Sequence, residues 1–144
     1  MKNYTIKNSA IALEDKIILF ICRGNSGRSQ MAEAFFNSLS KKAKAISAGT
    51  DPDEKIHPWT IEAMKEIGIG VSQQKPKLLS NGLLKKADKI IVMESRLLKD
   101  IPPKYSPKLK EWKIEKLLGK SMGQIRKIRD QIKKRVKQLI KEIE

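Results

Sequence analysis

Apolar residues follow two spacings along this chain, and each spacing predicts a different element. Ile17–Ile21 is an unbroken apolar run, which in a strand means burial on both faces and hence a parallel sheet covered by helices. Ala43–Ala48 and Lys89–Met93 read as a second and a third strand, and Lys110–Ile114 as a fourth. Elsewhere the spacing changes to threes and fours. Met31, Phe35 and Leu39 recur at i+4 with Ala32 and Phe36 beside them, marking the buried face of a helix that starts at about Arg28, with Glu33 and Asn37 toward the other side. Pro58 suits the first turn of a helix that carries Ile61, Met64 and Ile67 inward and stops at Gly68. Ser80–Lys86 and Ser95–Lys99 predict two short helices, the second closed by Pro102 and Pro103. Ser121 and Gln124 form a capping-box pattern ahead of a long final helix. Its Met122, Ile125, Ile128, Ile132, Val136, Leu139 and Ile143 make one apolar side, and its Lys and Arg residues cover the rest.

Strands alternating with helices predict an α/β fold, a three-layer doubly wound sandwich. Right-handed crossovers place helices on both faces of a four-stranded parallel sheet. Ligands in such sheets bind beyond the C-terminal strand ends, near the switch in strand order. A chain of 144 residues is most simply one domain with a real core. That domain is expected over 16–144. Residues 1–15 form an N-terminal extension with a weakly apolar patch at Ile11–Leu13, equally readable as an edge strand, a packing arm or a leader.

The candidate chemistry sits where the first strand ends, in CRGNSGRS at Cys22–Ser29. A cysteine at a strand tip, five residues before Arg28, lets the loop curl so that successive backbone N–H groups point at one spot before the sulfur. The following helix adds its positive end there. Gly24 and Gly27 permit the backbone angles such a loop needs, and Asn25 tolerates a left-handed conformation. Arg28 can grip two oxygens of a tetrahedral oxyanion at once. A thiol so placed is expected to ionise, which makes Cys22 a nucleophile.

The loop CRGNSGRS with QMAEAFF after it, ISAGT at Ile46–Thr50, HPWTIEAMKEIGI at His57–Ile69 and ADKIIVM at Ala87–Met93 resemble the low molecular weight protein tyrosine phosphatases and their relatives, the thioredoxin-coupled arsenate reductases. The resemblance implies strand order 2-1-3-4. It also implies that Cys22 attacks phosphorus, while Arg28 and the amides of Arg23, Gly24, Asn25, Ser26 and Gly27 stabilise the equatorial oxygens. A phosphocysteine forms and water cleaves it. Ser29 matches the family hydroxyl that donates to the thiolate, and Asn25 the residue that braces the loop. No cofactor or metal is implied, because Arg28 and the amides supply the positive field.

Three departures qualify what the resemblance implies. The family places an aspartate after the fourth strand to protonate the leaving oxygen, but WKIEKLL puts Lys116 there, with Glu115 just before it as a substitute. Gly27 stands where many relatives carry a second cysteine, so no disulfide can protect Cys22 from overoxidation. A thioredoxin-coupled reductase passes oxidation to further cysteines, and this chain has only one. The first reading is therefore a phosphomonoester hydrolase acting on a phosphorylated protein or a small phosphoester. An arsenate reductase using an external thiol and a catalytically weak oxyanion or phosphoprotein binder are the alternatives.

Charge and composition change this picture little. Lys plus Arg at 31 against 16 acids gives +15, which favours anionic partners in general. The lysines are spread along the chain and aromatics are too few for a base-stacking platform, so nucleic acid is not the expected partner. One Cys and one His leave no zinc site. No apolar run approaches the ~20 residues of a membrane span and no signal-peptide pattern opens the chain, so a soluble, cytoplasmic protein is expected. His57, the only histidine, reads as a cap or a supporting contact at a helix start more than as an acid-base group. Trp59 reads as a packing residue or a pocket wall. Asp51–Glu54 reads as a solvated loop in preference to a metal site.

Overall fold

The computed structural model describes residues 16–144, and the extension 1–15 with its Ile11–Leu13 patch lies outside them. Strands β1 (Lys16–Cys22), β2 (Ala43–Gly49), β3 (Lys89–Val92) and β4 (Leu109–Glu111) lie in the order β2-β1-β3-β4. Every neighbouring pair is parallel, so the expected α/β class and the 2-1-3-4 order both hold. β1 has a partner on each side, with Cys22 level with Gly49 and Ile21 level with Val92. The winding reverses at β1, so the loop that leaves it opens into the crevice where such sheets bind ligands.

Alternation along β1 feeds two cores. Ile18, Phe20 and Cys22 enter the core shared with helices α1 (Arg28–Leu39), α2 (Pro58–Lys65) and α4 (Met122–Ile143). Leu19 and Ile21 enter a smaller core with Leu84 of α3 (Asn81–Lys86), and with Leu97 and Tyr105 of two 3-10 turns, Ser95–Asp100 and Pro103–Lys108. Helices thus cover both faces, which is why Ile17–Ile21 has no polar position. Phe20 and Phe36 meet edge to face with centroids 6.2 Å apart. The capping box forms: Ser121 Oγ accepts from the Gln124 amide at 3.2 Å, and Gln124 Oε1 from the Ser121 amide at 2.9 Å.

Several expectations are corrected. Leu39 is 38% exposed, because α1 ends at it and Ser40 turns extended. Glu33 and Asn37 do lie off the apolar side, and both also bind β2: Glu33 Oε1 accepts from Ser47 Oγ at 2.8 Å, and Asn37, although exposed, exchanges two bonds with the Ala45 backbone. β4 stops at Glu111 instead of reaching Ile114. It pairs only with β3, which ends at Val92, so past the Trp112 amide on the Val92 carbonyl the ladder has no partner. Arg129, on the polar side of α4 by spacing, is buried; its guanidinium reaches the Ala63 carbonyl and Glu66. No helix among the described residues is long and apolar enough to cross a membrane.

Candidate active site

The loop between β1 and α1 is fastened from outside by its carbonyls. The Arg23 carbonyl accepts from the Asp51 amide at 2.9 Å, that of Gly24 from the Asp53 amide at 2.9 Å, and that of Ser26 from Thr60 Oγ1 at 3.0 Å. Among the described residues, the amides of Gly24 through Arg28 donate to nothing. With carbonyls held outward, these amides and the start of α1 make an inward cradle suited to an anion. Asn25 carries φ 50, the one positive φ outside glycine among the described residues. Its side chain holds that conformation in place: Oδ1 accepts from Gln30 Nε2 at 3.0 Å and the Lys77 amide at 2.9 Å, and Nδ2 donates to Ser29 Oγ at 2.7 Å. Gly49, the last residue of β2, backs the loop so closely that a Cβ there would sit 2.5 Å from the Arg23 carbonyl oxygen.

Cys22 lies at the floor, 3% exposed, with Sγ 2.8 Å from Ser29 Oγ. Ser29 already accepts from Asn25, so its own hydrogen is available to the sulfur. A hydroxyl donor and a helix N-terminus beside one sulfur suit a thiolate nucleophile. Arg28 is also buried and lines the same recess as Cys22. Nη1 donates to the Met93 and Ile114 carbonyls, each at 2.9 Å, and Nη2 to Glu94 Oε1 at 2.6 Å. Those bonds occupy both Nη1 hydrogens and one on Nη2. Nε–H and the other Nη2 hydrogen remain, the side-by-side pair that binds two oxygens at once.

Glu94 was not singled out by sequence reasoning, although it follows β3 directly at the sheet end where sites collect. Burial pushes its carboxyl pKa up, but hydrogen bonds from Arg28 and Arg96 more than offset this, and the net shift is downward. An ionised Glu94 thereby fixes the plane of Arg28.

Cys22, Arg23, Gly24, Ser26, Gly27 and Arg28 line one open recess, joined by Asp53, His57, Trp59, Lys116, Leu117 and Leu118. Asn25 and Ser29 stand behind it, fully buried. Glu115 is not in this lining; it borders the adjoining recess with Glu94 and Ser95. His57 starts α2 without a side-chain capping bond. Its Nε2 is 3.3 Å from Asp53 Oδ2, which accepts from Ser26 Oγ at 2.5 Å, and its ring stacks on Trp59 at 4.2 Å. His57 is therefore a supporting contact and not a cap, and Trp59 is a wall. Asp51, Asp53 and Glu54 are exposed, as a solvated loop should be, and Asp51 pairs with Arg23 at 3.1 Å, so the same stretch also braces the cradle.

A family model described as low molecular weight phosphotyrosine protein phosphatase matches residues 17–144. The chain belongs to the low molecular weight phosphotyrosine protein phosphatase family. Within and around this family the relatives carry two activities. Arsenate reductase 2 of Staphylococcus saprophyticus is 35% identical over 130 residues, which cover 88% of this chain and 97% of that protein. A low molecular weight protein tyrosine phosphatase from T. tengcongensis superposes with a TM-score of 0.81 at 29% identity, covering 89% of this chain and 99% of that one. An arsenate reductase in its phosphate binding state gives 0.79 at 32% identity, covering 90% and 99%. The family is one of enzymes, and its two activities are those that the cradle chemistry raises.

Proposed function

We propose that the protein is a cysteine-dependent phosphomonoester hydrolase. Cys22 Sγ attacks phosphorus, a sulfur–phosphorus bond forms, and the phosphorus–oxygen bond breaks with its electron pair on the leaving oxygen. The open edge of Arg28 and the amides of the loop from Arg23 to Gly27 hold the equatorial oxygens, where charge accumulates. Ser29 holds the sulfur as a thiolate before attack and after release. Water then attacks phosphorus, phosphate departs, and the pair returns to Cys22.

The observation that carries this reading is that Cys22 is the only cysteine, lies 2.8 Å from a hydroxyl donor and lines the same recess as the Arg28 guanidinium. Hydrolysis through phosphocysteine needs one sulfur and no more. Cys22→Ser is expected to abolish release of phosphate from an aryl phosphate while inorganic phosphate still binds. Unchanged turnover in that variant would refute the proposal.

Reduction of arsenate is the second reading, favoured by the 35% identity to a protein named arsenate reductase. The sulfur of Cys22 would bond arsenic as one arsenate oxygen leaves as water, and an external thiolate would then attack that sulfur, breaking the sulfur–arsenic bond. A mixed disulfide would form, and two electrons would pass to arsenic, which leaves as arsenite. Failure to release arsenite with any thiol donor across a broad panel would eliminate it.

A further inference from the structure

Among the described residues, the recess over Cys22 has no unengaged carboxyl to protonate a leaving oxygen. Glu94 is taken by Arg28 and Arg96. Asp53 accepts from Ser26 and faces His57. Glu115 borders the adjoining recess. His57 turns Nε2 to Asp53 and lays its ring on Trp59. What the recess does present is Lys116, which enters no ion pair among the described residues. Its place is set by its neighbour: Leu117 is buried and lies against the loop, its Cδ1 2.7 Å from where a Cβ on Gly27 would stand. On the other side of Leu117, Leu118 is an apolar side chain 71% exposed at the same rim.

We infer that Lys116 restricts this site to phosphates whose leaving group departs as a stable anion beside an apolar body, the chemical class being an acyl phosphate. The inference rests on the hydrolase reading. When Cys22 Sγ bonds to phosphorus and the bridging phosphorus–oxygen bond breaks, the electron pair lands on a carboxylate that needs no proton. Lys116 neutralises that carboxylate, and Trp59 and Leu118 meet its hydrocarbon part. A phenolate or alkoxide leaving the same place needs a proton that no placed carboxyl supplies. Lys116 is thus a specificity-determining residue, selecting the leaving group and not the phosphoryl group.

The test is a matched pair of substrates, benzoyl phosphate and phenyl phosphate, given to the full chain and to Lys116→Asp, Lys116→Met and His57→Gln. Benzoyl phosphate is expected to be turned over by the wild type. Lys116→Asp is expected to raise kcat/KM for phenyl phosphate by about 10² to 10⁴-fold, the usual contribution of a general acid, without raising that for benzoyl phosphate. Lys116→Met is expected to lower kcat/KM for benzoyl phosphate by about 10 to 100-fold, the scale of a hydrogen bond to a charged group. Equal kcat/KM for both substrates in the wild type overturns the inference. So does benzoyl phosphate turnover untouched by Lys116→Met, or phenyl phosphate turnover lost in His57→Gln, which would make the imidazole the acid. Hydrolysis of neither substrate by the wild type removes the hydrolase reading itself, and the inference with it.

Discussion

Glu94 and Glu66 are held in the same way, each by two arginines. Arg28 and Arg96 bind Glu94; Arg129 and Arg126 bind Glu66. In each cluster the buried arginine also serves backbone carbonyls, Arg28 those of Met93 and Ile114 and Arg129 that of Ala63. Their donors end differently. Arg129 directs Nε to Asp130 at 2.9 Å and ties α2 to α4, whereas Nε–H of Arg28 has no partner among the described residues, and Arg28 lines the same recess as Cys22. A buried guanidinium fully committed to its own protein is a fastening. One that keeps a parallel pair of donors uncommitted beside a nucleophile is a binding group. The difference lies in what remains unpaired, since the two guanidinium groups are equally buried.

Substitutions in the two clusters grade this contrast. Glu94→Gln takes the charge from a buried pair, and breaking such a pair costs about 3–5 kcal/mol. Urea unfolding is expected to show that loss, and kcat/KM is expected to fall with it, because Arg28 loses its orientation. Arg129→Met orphans the Ala63 carbonyl, at about 1–3 kcal/mol, with kcat/KM unchanged; a fall in activity as deep as that of Glu94→Gln would erase the distinction. Arg96→Met removes the more exposed arm on Glu94 and is expected to cost no more than about 1 kcal/mol, again read by urea unfolding.

Acid affects both clusters in one direction. The hydrogen bond from Arg126, joined by that from Arg129 against opposing desolvation, lowers the Glu66 pKa, and Arg28 and Arg96 lower that of Glu94 against burial. A carboxyl whose folded pKa lies below its unfolded one contributes stability that is present above the unfolded value and lost as pH falls through the folded value. The urea midpoint is therefore expected to drop as pH falls through and below the ordinary carboxylate range. The drop is expected to shrink in Glu66→Gln, and an unaltered acid profile in that variant would disconnect Glu66 from it.

The cradle was legible in the sequence because its parts are local. Ile17–Ile21 announces a strand covered on both sides, and Cys22, Gly24, Asn25, Gly27, Arg28 and Ser29 fall within one strand–loop–helix unit. What escaped was non-local. Glu94 stands 66 residues from Arg28, and no periodicity links them. Arg129 shares the charge of its solvent-facing neighbours, so spacing assigns it outward although a carbonyl across the helix pair draws it in. The end of β4 is decided by the length of β3, which β4 itself does not encode. Lys116 was visible as a charge where the resemblance placed an acid, but which side chain of the pair Glu115 and Lys116 enters the Cys22 recess depends on how Leu117 seats against Gly27.

Asn25 in its left-handed conformation is joined to Gln30 on one side and to the Lys77 amide on the other. The cradle is thereby shaped when the chain folds, before any anion arrives. Ordering entropy for the loop falls on folding and not on association. A small inorganic anion has few atoms with which to compensate for organising its host, so a site of this kind must be assembled in advance if it is to hold one at all.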